Sequence, residues 1–364
     1  MPPTLESLYI LGAGFSHNAG LPLQGDFTDA ILEGRGFHRI GPSKTLTQFL
    51  SAFVTDVFGR RMTDVGSVWP YLEDLFTCVD LSANTGHHLG RYSPAELRTV
   101  RRALISRIIR MLRQRYKPGS KTNGEWDPLS SLITSVDYRR SAFLTLNWDT
   151  VLEDRLSELV PKIAIDYGQG ILLHELDGTD RVLEARQERP PVQIVKMHGS
   201  INWLYCDNCR QTFAYPTKWC NHIAAQLLSP QDWERIDKTL KEHRILPKPI
   251  KSRHTPKSIC NKCTGVALST RLATFSYRKA LDFPMFQQSW SLAERLLREA
   301  NKWIFIGYSL PAADFEFKHL LKRVGDIPSG RSRSTADLRG RRDVANKGQL
   351  RALFWVKIKE YNHL

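Results

Sequence analysis

Several things are missing from this 364-residue sequence, and each absence removes a class. No apolar run approaches the roughly 20 residues that a membrane-spanning helix needs, so no membrane partner is expected. The N-terminus has no charged-then-apolar leader, the mark of a secreted precursor. Six cysteines, four of them in two C-x-x-C pairs, read as a metal clip in a reducing, cytoplasmic setting rather than as a disulfide framework. Neither an internal repeat nor a heptad array is found, which removes solenoids and coiled coils. Acidic residues are absent from 97–117, where Arg98, Arg101, Arg102, Arg107, Arg110, Arg113, Arg115 and Lys117 accumulate. Aromatics do not interleave with these cations as they would on a single-strand-binding surface.

What is present is an ordinary globular composition, 41% hydrophobic and 24% charged. The length suits one large α/β domain with insertions, or two domains. The net charge is +15, and a second basic stretch from 322 to 364 holds eleven cations against four acids. Such clusters suit a nucleic acid or an acidic protein partner, and they equally suit a solvated face. The sequence leaves a homo-oligomer open.

Five apolar runs have the composition of buried parallel strands: Leu8–Leu11, Ala142–Leu146, Gln193–Met197, Trp303–Gly307 and Ala352–Ile358. The first four each end in a Gly, Asn or His motif, where α/β sheets place their ligand-binding loops. Between the first two runs the chain reads as helices. The clearest begins at Ser93, with Glu96 completing a capping box and Pro94 in the first helical position. Leu97, Val100, Leu104, Ile108 and Met111 form its apolar stripe, and the arginines are expected on an open, basic remainder. Residues 203–267, apart from a helix over 230–242, lack periodicity and read as a small inserted module. Residues 327–348 read as a basic loop. The expected organisation is a Rossmann-like parallel sheet with helices on both faces from 1–37, 136–202 and 268–325. A helical insertion occupies 38–135, the module 203–267, and a basic segment with a last strand 326–364.

The motifs carry the chemistry. In YILGAGFSHNAG, Gly12 permits a tight turn and Gly14 lets a pyrophosphate approach the N–H groups at a helix start. His17 stands where a third glycine of G-x-G-x-x-G belongs, and loop glycines are also ordinary turn residues. In LTLNWDT, Asn147 and Asp149 end a strand and face a crevice, or they cap the helix beginning near Thr150. His198 in KMHGS suits a general base near neutral pH, or a satisfied turn histidine. Gly307, Tyr308, Ser309 and Leu310 follow the fourth run, where a glycine and a hydroxyl suit close approach to a ribose. Cys206, Cys209, Cys260 and Cys263 supply the four thiolates of a tetrahedral structural zinc site, with Cys220 and His222 lying between as substitutes. Cys78, in a helix-like apolar context, reads as buried.

Taken in order, GAGFS, LNWD, HG, the paired C-x-x-C knuckles and GYSL resemble the sirtuin superfamily over 8–325. The resemblance implies NAD lying across the strand ends beside a zinc module. It assigns Gly12, Ala13, Gly14 and Ser16 to the NAD phosphates and ribose, and Gly307, Ser309 and Leu310 to the adenosine side. Asn147 and Asp149 would flank the nicotinamide ribose and carboxamide, with His198 as catalytic base. The chain departs from the family's protein deacylases: Leu21-Pro22-Leu23-Gln24-Gly25 stands where they carry I-P-D-F-R, and Leu146-Asn147-Trp148-Asp149 where they carry Q-N-I-D. The long helical insertion, N-W-D and G-Y-S-L-P look more like bacterial sirtuin-like NAD hydrolases of antiphage defence. The zinc knuckles, which those hydrolases often lack, keep a deacylase as the alternative. A module that holds NAD or ADP-ribose without turnover is the third.

Overall fold

A computed structural model describes residues 5–32, 42–59, 61–63, 66–116, 127–160, 163–168, 171–173, 191–246, 255–263, 265–274, 276–277, 284–311, 314–325 and 354–358. The chain begins with β1 (Ser7–Leu11), a short α1 (Ala13–His17), a 3-10 turn and α2 (Phe27–Leu32). The insertion supplies α3 (Pro42–Phe58), β2 (Arg61–Thr63), β3 (Gly66–Val68), α4 (Leu72–Thr85), α5 (Pro94–Arg115) and α6 (Asp127–Ser135). Next come β4 (Ser141–Thr145), α7 (Val151–Leu159), β5 (Ile165–Asp166), β6 (Leu172–Leu173) and β7 (Val192–Lys196). After them lie β8 (Trp203–Tyr205), β9 (Thr212–Ala214), α8 (Cys220–Gln226) and α9 (Pro230–Glu242). The last elements are α10 (Pro284–Glu299), β10 (Lys302–Ile306), α11 (Phe315–Gly325) and β11 (Phe354–Ile358).

The central sheet has the order β11-β10-β1-β4-β7-β5, and its five strands other than β11 are parallel. All five expected strands form. The fifth is corrected in direction, because β11 pairs antiparallel with β10. An apolar run has the same composition whichever way it points, and an antiparallel edge strand on a parallel sheet is common. β5 was not expected, since two residues are too short to show a period.

Both faces of the sheet are covered, which explains the near-continuous apolar runs. Leu8 and Ile10 of β1, Ala142 and Leu144 of β4, and Val195 and Met197 at the end of β7 pack under α10 and α11, against Leu292, Leu296 and Phe317. The alternate residues Leu11, Phe143, Ile194 and Ile306 join the larger core on the other face. A second sheet, β6-β9-β8, carries the first cysteine knuckle at its end. Among the described residues no helix is long and apolar enough to cross a membrane. Residues 327–348 lie outside the described residues.

The capping box of α5 forms as read: Ser93 Oγ accepts from the Glu96 N–H, and the Glu96 carboxylate accepts from the Ser93 N–H at 2.9 Å. Its open basic face does not form. Ile105, Ile109, Leu112 and Arg107 are buried along with the expected stripe, and α3, α4, α8 and α9 enclose the helix. Arg101 pairs with Asp80 at 2.7 Å, Arg102 with Asp232 at 2.5 Å and Arg113 with Asp154 at 3.5 Å. Arg98 donates to the Ala83 carbonyl, and Arg107 to Thr47 Oγ1. Three of these cations thus neutralise acids of this same chain. Helices α8 and α9, from the segment expected as a separate module, pack on α5 and so join the insertion.

Asp232 is the hub of that packing. Its side chain is 1% exposed, it closes the capping box of Ser229 at the start of α9, and it accepts from Arg102 and from Thr99 at 2.6 Å. Burial alone would push its carboxyl up. The hydrogen bonds from Arg102, Thr99 and the Ser229 N–H prevail and hold it at about 2, below the ordinary 3.8. A folded-state pKa below the unfolded one stabilises the fold above the unfolded value, and that contribution fades as the pH falls toward 2. It amounts to roughly 2 kcal/mol at about 1.4 kcal/mol per unit. Asp232→Asn should therefore lower stability by about 2–3 kcal/mol at neutral pH and flatten the acid unfolding between about pH 4 and pH 2. Urea melts at pH 7 and pH 3 test this, and an unchanged pH dependence would exclude it.

Candidate active site

Adjacent parallel strands in register put their carboxyl ends side by side. Leu11 stands opposite Ile306 and Thr145, and Thr145 opposite Lys196. The loops that follow therefore line one edge in the order Gly307–Leu310, Gly12–Ser16, Asn147–Asp149 and His198. From β1 the chain continues to β4 on one side, while β10 arrives on the other. That reversal is a topological switch point, where open α/β sheets bind ligands.

The loops are tied to one another. Asn147 Nδ2 donates to the Gly12 carbonyl at 2.8 Å and to Ser16 Oγ at 3.0 Å, and its N–H donates to Thr145 Oγ1. Asp149 Oδ1 accepts from the Val151 N–H at 3.0 Å, so it does cap the start of α7. Burial pushes the Asp149 carboxyl up, opposed by the Lys196 charge and by hydrogen bonds from the Val151 N–H and Ser16. Ser16, itself buried, thus touches both Asn147 and Asp149.

His198 is buried, with Nδ1 3.2 Å from the Leu146 carbonyl. A carbonyl partner requires a proton on Nδ1, which makes Nε2 the basic nitrogen. The segment around Ala273 covers this turn. The Ala273 N–H donates to the His198 carbonyl, and Trp148 Nε1 donates to the Ala273 carbonyl, both at 3.1 Å.

The glycines of the β1 and β10 loops sit against each other. The Gly12 N–H donates to the Ile306 carbonyl and the Gly14 N–H to the Gly307 carbonyl. A Cβ on Gly12 would lie 2.6 Å from the Gly307 oxygen, and one on Gly14 would lie 2.7 Å from the Gly307 Cα. The missing side chains let the β1 and β10 loops close on each other. Gly307 has φ +62°, and a Cβ there would meet the Phe15 nitrogen at 2.2 Å. Gly307→Ala should cost at least about 2 kcal/mol through strain and displaced backbone. A urea midpoint equal to wild type would show that the loops close otherwise. Beyond Gly307, Tyr308 is buried with its hydroxyl on Asp314. Ser309 and Leu310 are exposed, and Leu310 holds φ +52°.

Away from the edge, Cys206, Cys209, Cys260 and Cys263 place their sulfurs within 4.8 Å of one another. Sγ of Cys206 lies 3.4 Å from that of Cys263, and Sγ of Cys209 3.7 Å from that of Cys260. Tetrahedral Zn–S bonds of about 2.3 Å require sulfurs about 3.8 Å apart, so the set fits such an ion. The two substitutes do not join it. Cys220 opens α8, where burial pushes its thiol up to about 12, and His222 packs edge-on against Trp219. Cys78 is half-buried on α4 rather than fully enclosed.

Two site residues were missed. Lys196 is fully buried at the end of β7, donating to the Asp149 carbonyl and to Glu153. A lysine inside an apolar strand run was the available signal. Its partner Glu153, on α7, gave none.

No family model matches the chain, and no curated protein matches it. Over 88% of its length it is similar to solved sirtuin structures. One, concerned with sirtuin substrate affinity, is 15% identical, with 80% of that chain covered and a TM-score of 0.33. A Sir2 homologue in complex with NAD is 14% identical, with 75% covered and a TM-score of 0.32. A Sir2–p53 peptide–NAD+ complex is 15% identical, with 79% covered and a TM-score of 0.33.

Proposed function

We propose that the chain binds NAD across the carboxyl edge of its sheet and hydrolyses the nicotinamide–ribose bond. The observation that carries this reading is the convergence of four strand-end motifs, with Asn147 joining the Gly12–Ser16 loop and His198 one strand beyond. Gly12, Ala13, Gly14 and Ser16 would receive the phosphates and ribose from the β1 loop. Gly307, Ser309 and Leu310 would flank the adenosine half. The pyridinium of NAD is already a cationic leaving group, so no acid is required to protonate it, unlike an ordinary glycoside. The work left to the protein is orientation and charge stabilisation. Asp149 would contact the carboxamide, Asn147 would place the attacking water, and His198 Nε2 would take a proton from that water or a ribose hydroxyl. Water and NAD would yield nicotinamide, ADP-ribose and a proton.

One observation favours a second reading. The four-cysteine cluster has zinc geometry, and the resemblance associates such knuckles with deacylases, in which an acyl oxygen replaces water. Incubating the purified chain with NAD, with and without an acetylated peptide, separates the readings. Nicotinamide released with NAD alone supports the hydrolase. Release only with peptide supports the deacylase, and binding of ADP-ribose without release leaves a non-catalytic module.

A further inference from the structure

The geometry points to Lys196 as a positioning residue for this site, an inference that rests on the NAD-cleaving reading. Its side chain is 0% exposed, and its Nζ donates to the Asp149 carbonyl at 2.5 Å and to Glu153 Oε1 at 2.7 Å. The same Glu153 oxygen accepts from the Tyr167 hydroxyl at 3.4 Å. Burying an ammonium costs several kcal/mol, and well-packed apolar residues often replace a buried pair without loss of stability. Stability is therefore a poor account of this lysine.

Its placement supplies a better one. Lys196 is the last residue of β7, and His198 follows two residues later in the turn, so one short stretch of chain carries both. Lys196 holds the Asp149 carbonyl, and His198 holds the Leu146 carbonyl. The two anchors bracket Asn147 and Trp148. The loop between β4 and α7 is irregular, and its carbonyls have no ladder of their own. Lys196 thus ties the Asn147–Asp149 loop to the strand that carries the base, while Glu153 balances its charge from the first turns of α7. Nothing in the arrangement brings Lys196 to the reacting atoms. Its effect passes through Asn147 and Asp149.

The test compares full-length wild type with Lys196→Met, and with Lys196→Met/Glu153→Gln, which also removes the Glu153 charge that Lys196 balances. The readouts are NAD turnover, ADP-ribose affinity by calorimetry, and hydrogen exchange over 146–152. A displaced loop should lower kcat about 100-fold, because misplacement near 1 Å costs that much. The affinity for ADP-ribose should stay within about threefold, since Gly12–Ser16 and Gly307–Leu310 are untouched. Exchange should quicken over 146–152 and not in β1 or β10. A folded variant with turnover within threefold of wild type, or with unchanged exchange over 146–152, overturns the proposal. So does a parallel fall in kcat and affinity, which would mark a general loss of structure. If the single variant does not fold, the double variant carries the same expectations. If wild type does not cleave NAD, the proposed function fails, and the exchange measurement alone decides whether Lys196 holds the loop.

Discussion

His198→Ala will lower NAD turnover by roughly two to four orders of magnitude, the range for losing a general base, with little change in the fold. The fold should survive because backbone bonds hold the turn, while the imidazole Nδ1 lies 3.2 Å from the Leu146 carbonyl. Met197 N–H donates to the Thr145 carbonyl and Ala273 N–H to the His198 carbonyl. Initial rates of nicotinamide release, with far-UV circular dichroism and a urea midpoint, separate chemistry from folding. Asn147→Ala should also abolish cleavage, but less cleanly. Its amide ties the β4 loop to Gly12 and Ser16, and losing those bonds should cost about 1–2 kcal/mol of stability as well. Near-wild-type turnover in a well-folded His198→Ala protein would remove the histidine from the mechanism.

The second large effect concerns the thiols. Elemental analysis should find about one zinc per chain, carried by Cys206, Cys209, Cys260 and Cys263 and lost in a Cys260→Ser/Cys263→Ser variant. Cys220→Ser should retain it, since that thiol stands apart in α8. Structural zinc–thiolate binding couples several kcal/mol or more to local folding. The consequence here is local, then transmitted. Tyr205 and Ser269 exchange backbone hydrogen bonds, and the Cys260 N–H reaches the Val266 carbonyl. The knuckles thereby hold the stretch that leads to Ala273 and covers His198. Chelation should lower the thermal midpoint, raise hydrogen exchange over 258–274, and reduce turnover only through that cover. Metal-free protein of unchanged melting temperature would end the zinc assignment.

Much of this architecture is readable from residue order because parallel strands buried on both faces announce themselves as apolar runs. The Ser93 capping box and the helix at 230–242 were legible for an equally local reason, since caps are written in adjacent residues. The unreadable parts depend on distant partners. Ile105, Ile109 and Leu112 gave α5 a second apolar face, but nothing local says that Asp80, Asp154 and Asp232 will meet its arginines. The glycine spacing was visible, whereas the second loop it packs against, nearly 300 residues later, was not. Lys196 was missed, and only the tertiary structure reveals which carbonyl it holds.

The placement of Asp232 also sets a timetable for synthesis. Helix α5 ends at Arg115, whereas its covers α8 and α9 are complete only at Glu242. At about 5–20 residues per second, a nascent chain carries α5 without those covers for on the order of ten seconds. During that interval Ser106 and Arg102 lack these partners, because Ala224 and Asp232 do not yet exist. A ribosome stalled between these points would display α5 with part of its apolar and cationic surface uncovered. The first turn of α9, which brings Asp232 to Arg102, then closes over it.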